Sequence, residues 1–110
     1  MAFITIWTFH TKRVTVTLAC TPEMDPDLSW ADAETLEKIE RGDYVAVTFR
    51  VRVAVDGRTM GEDYLGNSIY ADVRDFARER GGYFSDMVAN AIAEARRMLA
   101  HPLPVRRIMR

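Results

Sequence analysis

From Tyr44 to Asp56 apolar and polar residues alternate without a break. Val45, Val47, Phe49, Val51, Val53 and Val55 take the odd positions; Tyr44, Ala46, Thr48, Arg50, Arg52, Ala54 and Asp56 take the even ones. A period of two turns every second side chain to the same side, so the segment reads as a β-strand with one buried and one wet face. At about 3.3 Å per residue it spans roughly 40 Å, enough to template a whole sheet. Asp56-Gly57 ends it. That dipeptide is a strong hairpin signal, because both central positions of a type I′ turn need φ > 0. A partner strand is expected over Arg58–Leu65, bent at Gly61 and broken by Gly66-Asn67.

The same alternation marks an N-terminal hairpin over residues 2–9 and 14–20, turning at His10-Thr11-Lys12-Arg13. Val14, Val16, Leu18 and Cys20 line one face of its second arm. In the first arm Phe3, Trp7 and Phe9 share a face and Ile4 and Ile6 take the other. Apolar residues on both faces mean a doubly covered strand or an edge held for a partner. Thr21–Ser29, with two prolines and three acids, reads as a loop. Ser29 is expected to cap a helix over Trp30–Arg41, stopped by Gly42, with a narrow stripe of Trp30, Ala33, Leu36 and Ile39.

The period then changes to that of a helix. Asp72–Arg80 places Val73, Phe76 and Ala77 on one face, with Asp72 as cap and Gly81-Gly82 as stop. Ser85–Ala100 is the strongest helical pattern. Phe84, Met87, Val88, Ala91, Ile92, Ala95, Met98 and Leu99 follow the i, i+3, i+4 rule. Asp86 in its first turn and Arg96 and Arg97 in its last suit the macrodipole. The order is β-β-α-β-β-α-α. It predicts a single α+β domain over 1–110: an antiparallel four-stranded sheet with helices packed on one face, and 101–110 as a flexible basic tail.

Composition narrows this little. With 48% hydrophobic and 28% charged residues the chain reads as a folded globule rather than a disordered tail. A net charge of −1 speaks against coating nucleic acid by bulk charge. Lone Cys20 cannot form an internal disulfide and suits a reducing cytosol. No signal peptide is read in FITIWTFH, and no apolar run approaches a membrane span. The expected location is the cytoplasm of a bacterial host, with no membrane partner.

Catalytic chemistry is not evident. His10 and His101 lie away from any Cys or acid at ligand spacing, so no metal is expected. Cys20, on the apolar side of a strand, reads as core rather than nucleophile. Glu62-Asp63 and Asp72/Asp75 pair carboxylates by spacing alone, as a turn and a helix start do. Gly81-Gly82 lacks a phosphate-cradling context. The expectation is a non-enzyme without cofactor.

Three surfaces remain as binding candidates. Eight acids fall between Glu23 and Asp43, half of the total in about a fifth of the chain. Glu23, Asp25, Asp27, Asp32, Glu34 and Glu37 read either as a solvated surface or as a negative face for a basic partner. Asp63–Tyr70, DYLGNSIY, reads as a connection whose Tyr64 and Tyr70 either anchor a partner or plug the end of the sheet. Arg50, Arg52, Arg96, Arg97, Arg106 and Arg107 could contact nucleic-acid phosphate, although no aromatic interleaves with the C-terminal ones.

Gly42-Asp43-Tyr44, Gly61-Glu62-Asp63-Tyr64-Leu65-Gly66, Tyr70, Gly82-Tyr83-Phe84, Asp86-Met87-Val88, Ala91-Ile92 and Glu94-Ala95-Arg96 form a pattern over about half the chain. It resembles small uncharacterised proteins of phages and other mobile elements. The resemblance carries no catalytic residue. By analogy it implies a setting: binding and blocking a host protein, as anti-CRISPR inhibitors do. The implied partner is a host protein or nucleoprotein complex with a basic surface, and a homodimer is expected from the bare apolar strand edges. The alternative is a small nucleic-acid-binding or regulatory protein using its arginine face.

Overall fold

The computed structural model describes residues 2–79 and 82–100. The expected basic tail, with Arg106 and Arg107, lies outside the described residues, as does Arg80. Four strands form one antiparallel sheet in sequence order: β1 Ile4–His10, β2 Val14–Pro22, β3 Val45–Val55 and β4 Arg58–Tyr70. The helices are α1 Ala33–Glu40, α2 Asp75–Arg78 and α3 Tyr83–Ala100. The fold is α+β with the expected order. No helix among the described residues is long and apolar enough to cross a membrane.

β3 organises the sheet as its alternation requires. Val47, Phe49, Val51, Val53 and Val55 are buried, and Arg50 and Arg52 lie on the opposite, open face. On the core side they meet Val16, Leu18 and Cys20 of β2 and Phe84, Met87, Ala91 and Ala95 of α3. Burial pushes the Cys20 thiol pKa up, as for a small core residue. α2 is one turn long, yet its Phe76 stacks on Phe49 with ring centroids 3.9 Å apart. Val45, at the start of β3, is exposed although it lies in the odd series.

Asp56 and Gly57 both take positive φ, 52° and 82°, and close the two-residue turn between β3 and β4. The β1–β2 turn docks on it. Arg13 grips Asp56 through Nε (3.1 Å) and Nη2 (2.6 Å), and the Asp56 amide donates to the Arg13 carbonyl. Two hairpin tips are thus tied at one end of the sheet.

Several expected boundaries move, each for a local reason. β4 does not stop at Leu65. Gly66 and Asn67 together oppose Thr48, between the pairs Phe49–Leu65 and Val47–Ser68, and the strand resumes to Tyr70. This is a β-bulge, and Asn67 supplies its φ of 56°. The presumed connection Asp63–Tyr70 is therefore strand. A second bulge in β1, at Ile6, reverses the alternation: Thr5 pairs with Ala19 but Trp7 with Leu18. Ile4 thereby joins Trp7 and Phe9 on the helix side. Phe3 passes to the open face, its ring 4.2 Å from the Arg50 guanidinium.

The helix starts move as well. α1 is capped by Asp32, whose Oδ1 accepts from the Thr35 amide at 2.8 Å. Ser29 does not cap: its amide and hydroxyl turn back to Asp27 Oδ1, and the helix begins only beyond Asp32. Trp30 consequently lies ahead of the helix, and no residue of α1 is buried. Gly42, at φ 83°, ends it as expected. α2 begins at Asp75, after i→i+3 turns that start at Asp72, Val73 and Arg74; the Asp72 carboxylate accepts from the amide and guanidinium of Arg74. α3 starts two residues earlier than expected, at Tyr83.

Candidate functional site: the open half of the β4 edge

β4 is an edge strand, and its two halves differ. Along the first half α3 supplies partners: Glu94 Oε1 accepts from the Glu62 amide at 3.2 Å, and Asn90 Nδ2 donates to Asp63 at 3.0 Å. Among the described residues the second half has no helix bonded along it; at the bulge the Asn67 amide donates to Glu23 Oε2 at 3.4 Å. A groove of about 480 Å³ is lined by Leu65, Gly66, Asn67, Ser68, Ile69 and Tyr70 in unbroken succession, with Trp30 and Tyr83 as walls. Successive side chains of a strand point to opposite faces. A groove touched by six consecutive residues therefore runs along the strand edge, where main-chain donors and acceptors lie. Trp30 is 57% exposed and Tyr83 64%.

The wall carrying Trp30 is built by the acidic loop. From β2 the chain bonds across the sheet end, the Glu23 amide to the Ala46 carbonyl. The Glu23 carboxylate accepts from the Thr48 hydroxyl. At the bulge Asn67 and the main chain of Asp27 bond reciprocally: Asp27 N to Asn67 Oδ1 at 2.8 Å, and Asn67 Nδ2 to Asp27 O at 2.9 Å. Trp30 Nε1 donates to the same Asp27 carbonyl at 3.0 Å. Ser29, through its hydroxyl and then its amide, holds the Asp27 carboxyl below the usual carboxylate range. A depressed pKa means that this contact is present above the ordinary carboxylate pKa and is lost as pH falls through the lowered value.

Asn67→Ala removes both reciprocal bonds and places a non-favoured residue at positive φ. It is expected to cost about 2 kcal/mol and to shift the emission of Trp30 toward that of free indole. Asn67→Gly keeps the backbone conformation and is expected to cost less. Chemical denaturation followed by tryptophan fluorescence checks both.

Among the described residues no charged one lines the groove itself, but carboxylates flank it. Glu79 and Asp86 line a smaller hollow that shares Tyr83, and Asp27 borders the opposite wall. Glu79 accepts from the Tyr70 hydroxyl at 3.1 Å. Burial, then that bond to Glu79, pushes the Tyr70 pKa up to about 12. Tyr70 also packs edge-on against Phe49 and Phe76, so it plugs the sheet end and is no free anchor. Tyr64 is 52% exposed, but on the open face beside Phe3.

The acids expected to meet a partner divide in use. Glu23 and Asp27 hold the loop, and Asp32 caps α1. Glu34 pairs with Lys38 at 3.3 Å and Glu37 with Arg41 at 3.1 Å. Asp25 makes no ion pair among the described residues. The arginines are not gathered into one stripe. Arg52 pairs with Glu62 at 2.6 Å and Arg50 lies against Phe3. Arg96 and Arg97 belong to α3, on the other side of the sheet from Arg50 and Arg52. Among the described residues no group of three His, Cys, Asp or Glu could hold a metal ion. Trp30 and Tyr83 were not singled out by the sequence. One stood in an apparent helix stripe and the other beside a glycine pair; the only hint was that the stripe was too narrow to need a tryptophan.

Comparison of the chain with family models, with curated proteins and with solved structures found no match.

Proposed function

We propose that the protein is a non-enzymatic binding module that captures an extended, basic segment of a partner protein along the open half of β4. One observation carries the reading: six consecutive edge-strand residues line a groove between two exposed aromatic walls. An extended peptide laid there adds a strand to the sheet, its main chain bonding the β4 edge and its side chains meeting Trp30 and Tyr83. Both walls are large, stiff and amphipathic, the chemistry favoured at contact centres. The carboxylates of Asp27, Glu79 and Asp86 favour lysine or arginine in the segment. The phage-protein resemblance supports a mobile-element setting, in which such capture would block a host defence complex by occupying its basic surface.

The test is site-specific photocrosslinking in host lysate from position 68, which lines the groove, with position 99 on α3 as control. Position 68 is expected to cross-link a basic, extended segment of one protein, and the further substitutions Tyr83→Ala with Trp30→Ala to lose it. Tyr83→Ala is expected to change stability by less than about 0.5 kcal/mol. Retention of the same partner by the double variant would overturn the assignment of the groove.

A further inference from the structure

β1 is the other edge of the sheet, and among the described residues no strand pairs with its outer side. Its residues, ITIWTFH, include no lysine, arginine, acid, proline or glycine. Such residues are the usual means of keeping an edge from pairing. The first half of the β4 edge, by contrast, has α3 bonded along it. β1 also leaves two large apolar side chains in water: Ile4 is 65% exposed and Phe9 55%.

The bulge at Ile6 decides what can pair there. When two identical strands pair antiparallel about a two-fold axis, facing residues must lie on the same side of the sheet. With strict alternation, residues an odd number of positions apart lie on opposite sides and cannot face each other. The bulge lifts that restriction. Ile4, Trp7 and Phe9 lie on the helix side, and Thr5 and Thr8 on the open side. Ile6 and Trp7 both pack against the core. One register then matches the whole strand: Ile4 opposite Phe9, Thr5 opposite Thr8, Ile6 opposite Trp7, and the reverse. Each pair shares a face. The two exposed apolar side chains meet on one side, and threonine faces threonine on the other, both favourable cross-strand pairings.

We infer that β1 is a homodimerisation edge. Two copies pair antiparallel through β1, with Ile4 of each against Phe9 of the other, and the two sheets continue as one of eight strands. Main chain, two Ile–Phe pairs and the flanking threonines together bury on the order of 1,000 Å², the lower end for a specific interface. The dimer is therefore expected to dissociate in the micromolar range. It leaves the open half of β4 free at both ends and so does not depend on the function proposed for that groove.

Light scattering over a micromolar concentration series is expected to show the mass rising from one chain to two. Ile4→Lys alone and Phe9→Glu alone are expected to stay monomeric, and their equimolar mixture to regain the dimer through the opposed charges. Cysteines read the register without touching either apolar residue. Thr5→Cys mixed with Thr8→Cys is expected to form a disulfide-linked heterodimer under mild oxidation, and neither variant alone to do so. Native Cys20 is buried and stays out of the reaction. A single-chain mass throughout the series overturns the proposal. A dimer in which Ile4→Lys associates as well as wild type, or in which Thr5→Cys links to itself, overturns the interface and register.

Discussion

Val51→Lys is expected to unfold the protein, whereas Arg50→Ala, one residue away, is expected to leave it folded. Val51 has no exposed surface and lies at the centre of β3, between Leu18 of β2 and Asp63 of β4. A lysine there must bury its ammonium among the apolar side chains of the core, or pull the strand from α3 as it reaches for Asp63, which already accepts from Asn90. Either costs more than about 4 kcal/mol, most of the stability of a domain this small. Val51→Ala removes burial and leaves a cavity, at about 2 kcal/mol. Arg50 stands on the open face. Its loss removes the contact with Phe3, about 1 kcal/mol or less. Urea denaturation of the three variants checks the order. If Arg50→Ala unfolds the chain and Val51→Lys does not, α3 packs on the other face of the sheet.

That prediction could be written from the sequence, because the strand obeys a local rule over its whole length. The same holds for Asp56-Gly57, whose turn type is dictated by two residues, and for the apolar face of α3. The misreadings occur where a distant residue decides. Gly66-Asn67 looks like a strand breaker, and so it would be in isolation. Here the pair becomes a bulge because Asp27, 40 positions away, bonds both ends of the Asn67 amide. The Ile6 bulge leaves no local mark at all, since it is visible only in the pairing with β2. Ser29 is a sound cap by type, but its side chain turns back to Asp27 two residues earlier, and Asp32 accepts from the Thr35 amide instead. Tyr64 and Tyr70 are alike on paper. Phe49 and Phe76 make Tyr70 a plug, and their absence leaves Tyr64 exposed. The groove was hidden for the same reason. Its walls, Trp30 and Tyr83, lie far apart in the chain and meet only because the acidic loop is pinned on the bulge.

Gly61→Ala is expected to be the most damaging single-methyl change in the protein. A Cβ at Gly61 would stand 2.0 Å from the Ala91 carbonyl oxygen and 2.9 Å from the Ala95 amide nitrogen. Both atoms are main chain of α3, so no rotamer change can make room. Glycine on β4 and alanines one turn apart on α3 are what allow helix and strand to touch backbone to backbone. With a methyl group between them α3 must lift. Its lifting loosens Phe84, Met87, Ala91 and Ala95 together and strains the Glu94 bond to the Glu62 amide. The expected loss is about 3 kcal/mol, the upper end of what overpacking costs. For a domain of this size that lowers the melting temperature by roughly 15 °C. Gly66→Ala is the control. A Cβ there meets its nearest neighbours, Glu23 Oε2 and Thr48 Oγ1, at 3.5 and 3.6 Å, ordinary contact distance. It is expected to melt within a few degrees of wild type. Ala91→Gly, which removes a side chain and leaves the carbonyl in place, is expected not to rescue Gly61→Ala. Rescue would mean that side-chain bulk, rather than contact between the two backbones, sets the distance between α3 and the sheet.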